Sequence, residues 1–162
     1  MARQKVIKTN ALRILDKLGI RYETRTYEAP DGFLDGVSVA MQVGMDPEKV
    51  YKTLVLQSAN KEYYICVIPV NHELDLKKVA THFESKRVEM IPSKDITNVT
   101  GYIKGGCSPV GMKKAYQTVI ANEAINLDEI TVSAGKVGLQ MTLLVADLLK
   151  VAHASFGDIT QC

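Results

Sequence analysis

The sequence is short of the residues that build metal and disulfide chemistry, with three cysteines and three histidines in 162 residues. Cys66, Cys107 and Cys162 form an odd set without C-x-x-C spacing, which excludes a disulfide framework and suits a reducing compartment, so a cytoplasmic protein is expected. His72, His82 and His153 lie far apart and no H-E-x-x-H occurs, so neither a metal nor a cofactor is expected. Walker A, G-x-S-x-G and G-x-G-x-x-G patterns are also missing. Their absence removes the sequence support for a P-loop nucleotidase, an elbow-type serine hydrolase and a dinucleotide enzyme. No run of about 18 apolar residues is present, so no membrane span is expected. Met1 to Asn10 is polar and basic with no apolar stretch behind it, unlike a signal peptide. A net charge of +2 is too small for the basic stripe of a duplex binder, so any contact with RNA has to be local.

What is present is an ordinary globular balance, 46% hydrophobic and 23% charged, with no linker or repeat to divide it, so one domain over residues 1–162 is expected. Thr9 is placed to cap a helix over Asn10 to Leu18, stopped by Gly19. Arg21 to Tyr27 alternates like a half-buried strand, and Glu28 to Gly32 breaks it. Helical spacing recurs over Gly36 to Val43, Leu74 to Phe83, Lys94 to Val99 and Ala146 to Val151. Strands are expected at Tyr51 to Gln57, Glu62 to Val70, Lys86 to Met90, Thr118 to Ala121, Ile130 to Ser133 and Leu139 to Leu144. The elements interleave without regular strand-helix alternation, which predicts an α+β fold with a mixed, curled sheet.

Three segments could carry chemistry. In a strand from Tyr51, Lys52 shares a face with Leu54 and Leu56, so its ammonium either snorkels to the rim or lines a cavity as an electrostatic donor. The segment Gly101 to Lys114 holds four glycines and a proline, which is either a cradle of exposed amides for an oxyanion or phosphate, or an ordinary connection. Cys107 inside it is a small apolar filler or, given a base brought from elsewhere in the chain, a nucleophile. Val132 to Gln140 ends a strand in a glycine-containing turn that offers a hydroxyl and an amine. Lys77, Lys78, Lys86, Arg87, Lys94, Lys104, Lys113 and Lys114 concentrate positive charge mid-chain, as a solvated face or as local contacts to RNA.

Taken in order, Tyr51 to Val55, Gly101 to Lys114 and Val132 to Lys136 resemble the motifs of the YbaK/EbsC family of aminoacyl-tRNA deacylases. Thr26-Tyr27, Leu74 to Lys78 and Arg87 to Met90 support the resemblance, which runs from about Ala11 to Ile159. Within the family the chain is similar to the free-standing enzymes that clear cysteine from tRNA(Pro), rather than to the alanine-specific domain inserted in prolyl-tRNA synthetase. The resemblance implies a curled, largely barrel-like sheet flanked by helices, and a hydrolase whose partner is the 3′ acceptor end of an aminoacyl-tRNA, with prolyl-tRNA synthetase as a second partner. It implies Lys52 as the catalytic residue. It implies substrate contacts from Tyr27, Thr53, Gly105, Gly106, Cys107, Ser108, Pro109, Ser133, Gly135 and Lys136. It also implies that the substrate's own thiol attacks its ester, so that the protein supplies donors rather than a nucleophile, with amides near Gly106 and Cys107 assisting. Gln140 stands where some relatives carry an acidic residue. A binding module of the same fold, without turnover, is the alternative from another class.

Overall fold

The computed structural model describes residues 8–30 and 34–162. The basic start of the chain before Lys8, and the Asp31-Gly32 part of the expected break, lie outside the described residues. Helix α1 (Asn10–Lys17) is capped by the Thr9 hydroxyl, which accepts from the Leu12 amide at 3.2 Å. It buries Ala11, Leu12 and Leu15, and Gly19 at φ 69° follows its end. Strand β1 (Glu23–Thr26) then leads to α2 (Gly36–Gln42), capped by Asp35.

A 3₁₀ turn at Pro47–Lys49 opens the central hairpin of β2 (Tyr51–Ser58) and β3 (Tyr63–Pro69). Helix α3 (Leu76–His82), strand β4 (Val88–Met90) and helix α4 (Ile96–Thr100) come next. Strands β5 (Gln117–Ala121), β6 (Glu129–Lys136) and β7 (Leu139–Leu144), helix α5 (Val145–Val151) and strand β8 (Ala154–Gly157) complete the order. The short parallel strand β8 was not expected from its sequence. Four residues, Ala-Ser-Phe-Gly, give too little alternation, and it is pairing with β5 that makes them a strand.

The fold is α+β with a mixed sheet, as expected, in two pieces rather than a closed barrel. Three strands run β1-β7-β6 and five run β4-β2-β3-β5-β8, with β3-β5 and β5-β8 parallel and the other pairs antiparallel. A single parallel bridge, Val50 to Thr131, joins them. Strand β3 carries the densest core: Ile65, Cys66, Val67 and Ile68 are essentially inaccessible. Burying each aliphatic chain there contributes roughly 2 to 3 kcal/mol.

The geometry that matters for the site is a fork at β2. One edge of β2 pairs with β3 along its length, but the other is shared between partners. At its far end β4 pairs with Leu56 to Ser58, and the Ile91 amide donates to the Val55 carbonyl at 3.1 Å. At its near end only the Val50 bridge to β6 is made. From Tyr51 to Leu54 that edge has no strand partner among the described residues. The two sheets diverge there and leave a gap.

Candidate functional site

That gap is a cavity of about 380 Å³. Five consecutive residues of β2, Tyr51 to Val55, line it, so it meets the strand along its open edge rather than on one face as simple alternation would have it. Ser133 of β6 and Gln140 of β7 face each other across the second sheet and close one side. Asp35, Gly36 and Val39 of the α2 region close another. A β-carbon on Gly36 would lie 2.4 Å from Val70 Cγ1, so the glycine lets the helix settle onto the end of β3. Ile91, Ser93 and Ile96 after β4, and Lys104, Gly105 and Cys107 of the glycine-rich segment, complete the wall.

Lys52 is half-buried on this wall and makes no hydrogen bond or ion pair with another described residue. Of the two expectations for it, lining a cavity is the one realised. Three buried polar atoms lack a partner among the described residues: Tyr51 Oη, Thr53 Oγ1 and Gln140 Oε1. All three residues line the same cavity. Buried polar atoms are nearly always paired, and an orphan costs about 1 to 3 kcal/mol. A cavity lined by two lysines, several hydroxyls and an amide offers a polar ligand many partners. Gln140 Oε1 can only accept, so it calls for a donor on that ligand.

The electrostatics are mixed. Burial holds the Tyr51 phenol above its ordinary range, with the Glu123 and Glu48 carboxylates adding to the effect, so it stays a neutral donor. Those two carboxylates are spanned by His72, at 3.3 Å and 3.1 Å. Asp35 brings a carboxylate to the cavity wall, held below the usual carboxyl range by the hydroxyl and amide of Ser38. No histidine lines the cavity among the described residues. Cys107 does, but burial pushes its thiol up to about 11, which leaves it protonated and poorly nucleophilic at neutral pH.

The expected site residues separate into two groups. Tyr27, Lys52, Thr53, Gly105, Cys107 and Ser133 meet on the cavity wall. The Tyr27 hydroxyl reaches toward the Gly105 carbonyl at 3.5 Å, and Ser133 Oγ accepts from the Gly135 amide at 3.2 Å. Gly106, Ser108, Pro109, Gly135 and Lys136 are not on that wall. Gly106 packs against the β6–β7 turn so tightly that a β-carbon would stand 2.6 Å from the Val137 nitrogen. Its amide donates to the Ile103 carbonyl at 2.9 Å, so it is committed within the loop rather than offered as a cradle. Ser108 is buried and accepts from the Val110 amide. Gly135, at φ 99°, makes room for the Tyr102 ring, Lys136 ends β6 exposed, and Pro109 borders a different cavity.

Reasoning from sequence passed over Asp35, and it treated Gln140 only as a departure from relatives and Tyr51 as an ordinary strand residue. Asp35 carried a readable signal as a helix cap, but nothing local aimed it at a ligand. Gln140 could have been found by pairing the two flanking strands, since antiparallel register sets it opposite Ser133.

Comparison with known proteins bears on the family and the fold. The aminoacyl-tRNA editing domain family matches residues 35–151. A protein of Enterococcus faecalis, provisionally named as a Cys-tRNA(Pro)/Cys-tRNA(Cys) deacylase, EbsC, is 40% identical over 153 residues, covering 94% of this chain and 93% of its own. Among solved structures, one described as a provisional trans-editing enzyme for prolyl-tRNA synthetase superposes with a TM-score of 0.79 at 18% identity, covering 97% of this chain and 100% of that one. A hypothetical protein superposes with a TM-score of 0.84 at 16% identity, covering 94% and 100%. At these identities the structural likeness speaks for the fold. The family match and the sequence relative, spanning nearly the whole chain, settle its membership: the chain belongs to the aminoacyl-tRNA editing domain family.

Proposed function

We propose that this protein hydrolyses the ester of a mischarged aminoacyl-tRNA, with Cys-tRNA(Pro) as substrate, and that Lys52 and the polar residues lining its cavity form the working centre. The observation that carries this reading is the unpaired Lys52 in a cavity whose buried Tyr51, Thr53 and Gln140 atoms also lack partners. The deacylase relative of Enterococcus faecalis supplies the substrate class.

The chemistry follows from what the wall offers. It has two lysines, hydroxyl donors and the Asp35 carboxylate but, among its described residues, no histidine base and only a protonated thiol. Such a site stabilises developing charge better than it generates a nucleophile. The substrate's own thiol sulfur then attacks the ester carbonyl. A sulfur–carbon bond forms, the bond to the ribose oxygen breaks, and the thiol proton passes to that oxygen. Water afterwards opens the resulting thiolactone to free cysteine. Lys52 orients the aminoacyl group and stabilises the oxyanion. Thr53 and Ser133 offer hydroxyls, and Gln140 Oε1 accepts from a donor on the amino acid, the part of the substrate that distinguishes one charged tRNA from another.

Release of cysteine from Cys-tRNA(Pro) by the wild type and by Lys52→Ala tests this directly. Equal rates remove Lys52 from the mechanism. If neither protein releases cysteine while both bind charged tRNA, the protein is a binding module. Ser-tRNA, with a hydroxyl in place of the thiol, should be cleaved far more slowly, whereas loss of activity on Cys107→Ala would restore a protein nucleophile. The tRNA(Pro) of the relative's name and the description of the structural neighbour point to prolyl-tRNA synthetase as the partner that supplies tRNA identity. Cysteine release from a panel of charged tRNAs, with and without the synthetase, tests that partnership.

A further inference from the structure

A second cavity, of about 360 Å³, has no role in the chemistry above. Pro109 and the run Gly111 to Lys114 line it, together with Tyr116 and His153. No aspartate or glutamate lines it among the described residues, so its walls carry only positive formal charge, from Lys113 and Lys114. The two cavities are built from one segment: Cys107 lies on the wall of the first and Pro109 on the wall of the second. Two residues of chain span at most about 7 Å, so the walls nearly touch.

The structure also sorts the mid-chain basic residues. Lys78 is paired with Asp158 at 3.0 Å and Arg87 with Glu89 at 3.6 Å. Lys113 meets only the neutral Asn98 carbonyl, at 3.2 Å, and neither it nor Lys114 has a carboxylate partner among the described residues. The backbone that presents them is held in place. Asn10 donates to the Gly111 carbonyl at 2.8 Å, Tyr102 donates to the Val110 carbonyl, and the Lys113 amide donates to Thr100 at 3.0 Å. Cations on a pinned backbone lose less freedom when an anion arrives.

We infer that this second cavity is a phosphate site, in which Lys113 and Lys114 hold backbone phosphates of the acceptor strand while the aminoacyl ester occupies the Lys52 cavity. The inference rests on the aminoacyl-tRNA reading above. The C-terminal end of α5 also borders the cavity, and two lysines could merely offset its partial negative charge. At that end the Ala152 and His153 amides already donate to the Leu148 and Lys150 carbonyls, at 2.9 and 3.3 Å. A merely compensating pair would alter thermal stability and nothing else.

The test compares K113A/K114A with wild type on full Cys-tRNA(Pro) and on 3′-cysteinyl-adenosine, which has no phosphodiester. KM for the tRNA should rise about tenfold, and the slope of log(kcat/KM) against log[salt] should flatten by about 1.4, the value for two lost phosphate contacts on a single strand. K113R/K114R should restore both, and turnover of cysteinyl-adenosine should not change. Unchanged KM and slope, or an equal loss on both substrates, overturns the site. So does a loss seen only with prolyl-tRNA synthetase present, which would make the surface a protein contact. Should wild type cleave neither substrate, the deacylase reading fails separately. Filter binding of uncharged tRNA then decides the site, and equal affinity of wild type and K113A/K114A overturns it.

Discussion

Strand β3 and the β6–β7 hairpin are both deep in the molecule, yet they are buried in different ways. On β3 the inaccessible positions are filled on both faces by Ile65, Cys66, Val67 and Ile68, packed against the neighbouring strands and helices. On the hairpin, buried residues alternate. Ile130, Val132, Met141 and Leu143 enter the core, while Thr131, Gln140 and Thr142 are buried on the opposite face with Ser133 beside them. Part of that polar face satisfies itself: the Thr131 and Thr142 hydroxyls meet at 2.7 Å, and Arg25 donates to Thr142 at 2.9 Å. The rest, toward the fork at β2, leaves Gln140 Oε1 without a partner among the described residues, on a residue only 7% exposed. A protein tolerates that cost where a ligand repays it, so the two regions divide stability from recognition.

Substitutions that respect the division should move one property and leave the other. Lys52→Ala should have the largest effect, lowering kcat/KM on Cys-tRNA(Pro) about 100-fold or more, since a preorganised donor at a developing oxyanion is worth that much. Urea unfolding should leave its stability nearly unchanged. Ile65→Ala should do the reverse, lowering unfolding free energy by about 3 kcal/mol while activity per folded molecule persists.

Gln140→Met separates the two roles within one residue. It keeps the volume and removes the orphaned acceptor, so stability should hold or rise by about 0.5 kcal/mol while KM rises about fivefold. A fall in stability with no change in KM would erase the distinction between the two regions. The smallest effect is expected at Cys107. Cys107→Ala should stay within about twofold of wild type, as a filler rather than a nucleophile. Its alkylation by iodoacetamide, followed by mass spectrometry, should be slow at pH 8 and accelerate as pH approaches about 11, because burial raises the thiol and suppresses the thiolate below that value. Exposed Cys162 should react first.

Most elements were legible because hydrophobic periodicity and caps are local properties. The Thr9 cap, the β2–β3 hairpin and the glycine stop after α1 each follow from a few adjacent residues. What escaped depended on distant partners. Strand β8 exists because β5 lies beside it, and the 3₁₀ turn at Ser93–Asp95 takes the start of the helix expected from Lys94. Among the site residues, the resemblance to the editing family singled out Lys52, and the glycine-rich segment stood out by composition. The split of that segment, with Cys107 on one cavity and Pro109 on another, did not, since neighbours in sequence carry no label for the side they face.

By itself, the sequence determined most of the elements that form, that no zinc-ligand or nucleotide-loop spacing occurs, and which three segments resemble the editing family. Tertiary structure alone decided that β2 loses a partner strand between Tyr51 and Leu54, because β4 and β6 approach its edge from opposite ends. That missing partner opens the cavity, brings Lys52 beside Thr53, Ser133 and Gln140, and commits the Gly106 amide elsewhere. The physical reason is that strand pairing is a long-range choice: local residues set the propensity to extend, but the neighbour that satisfies an edge comes from another part of the chain.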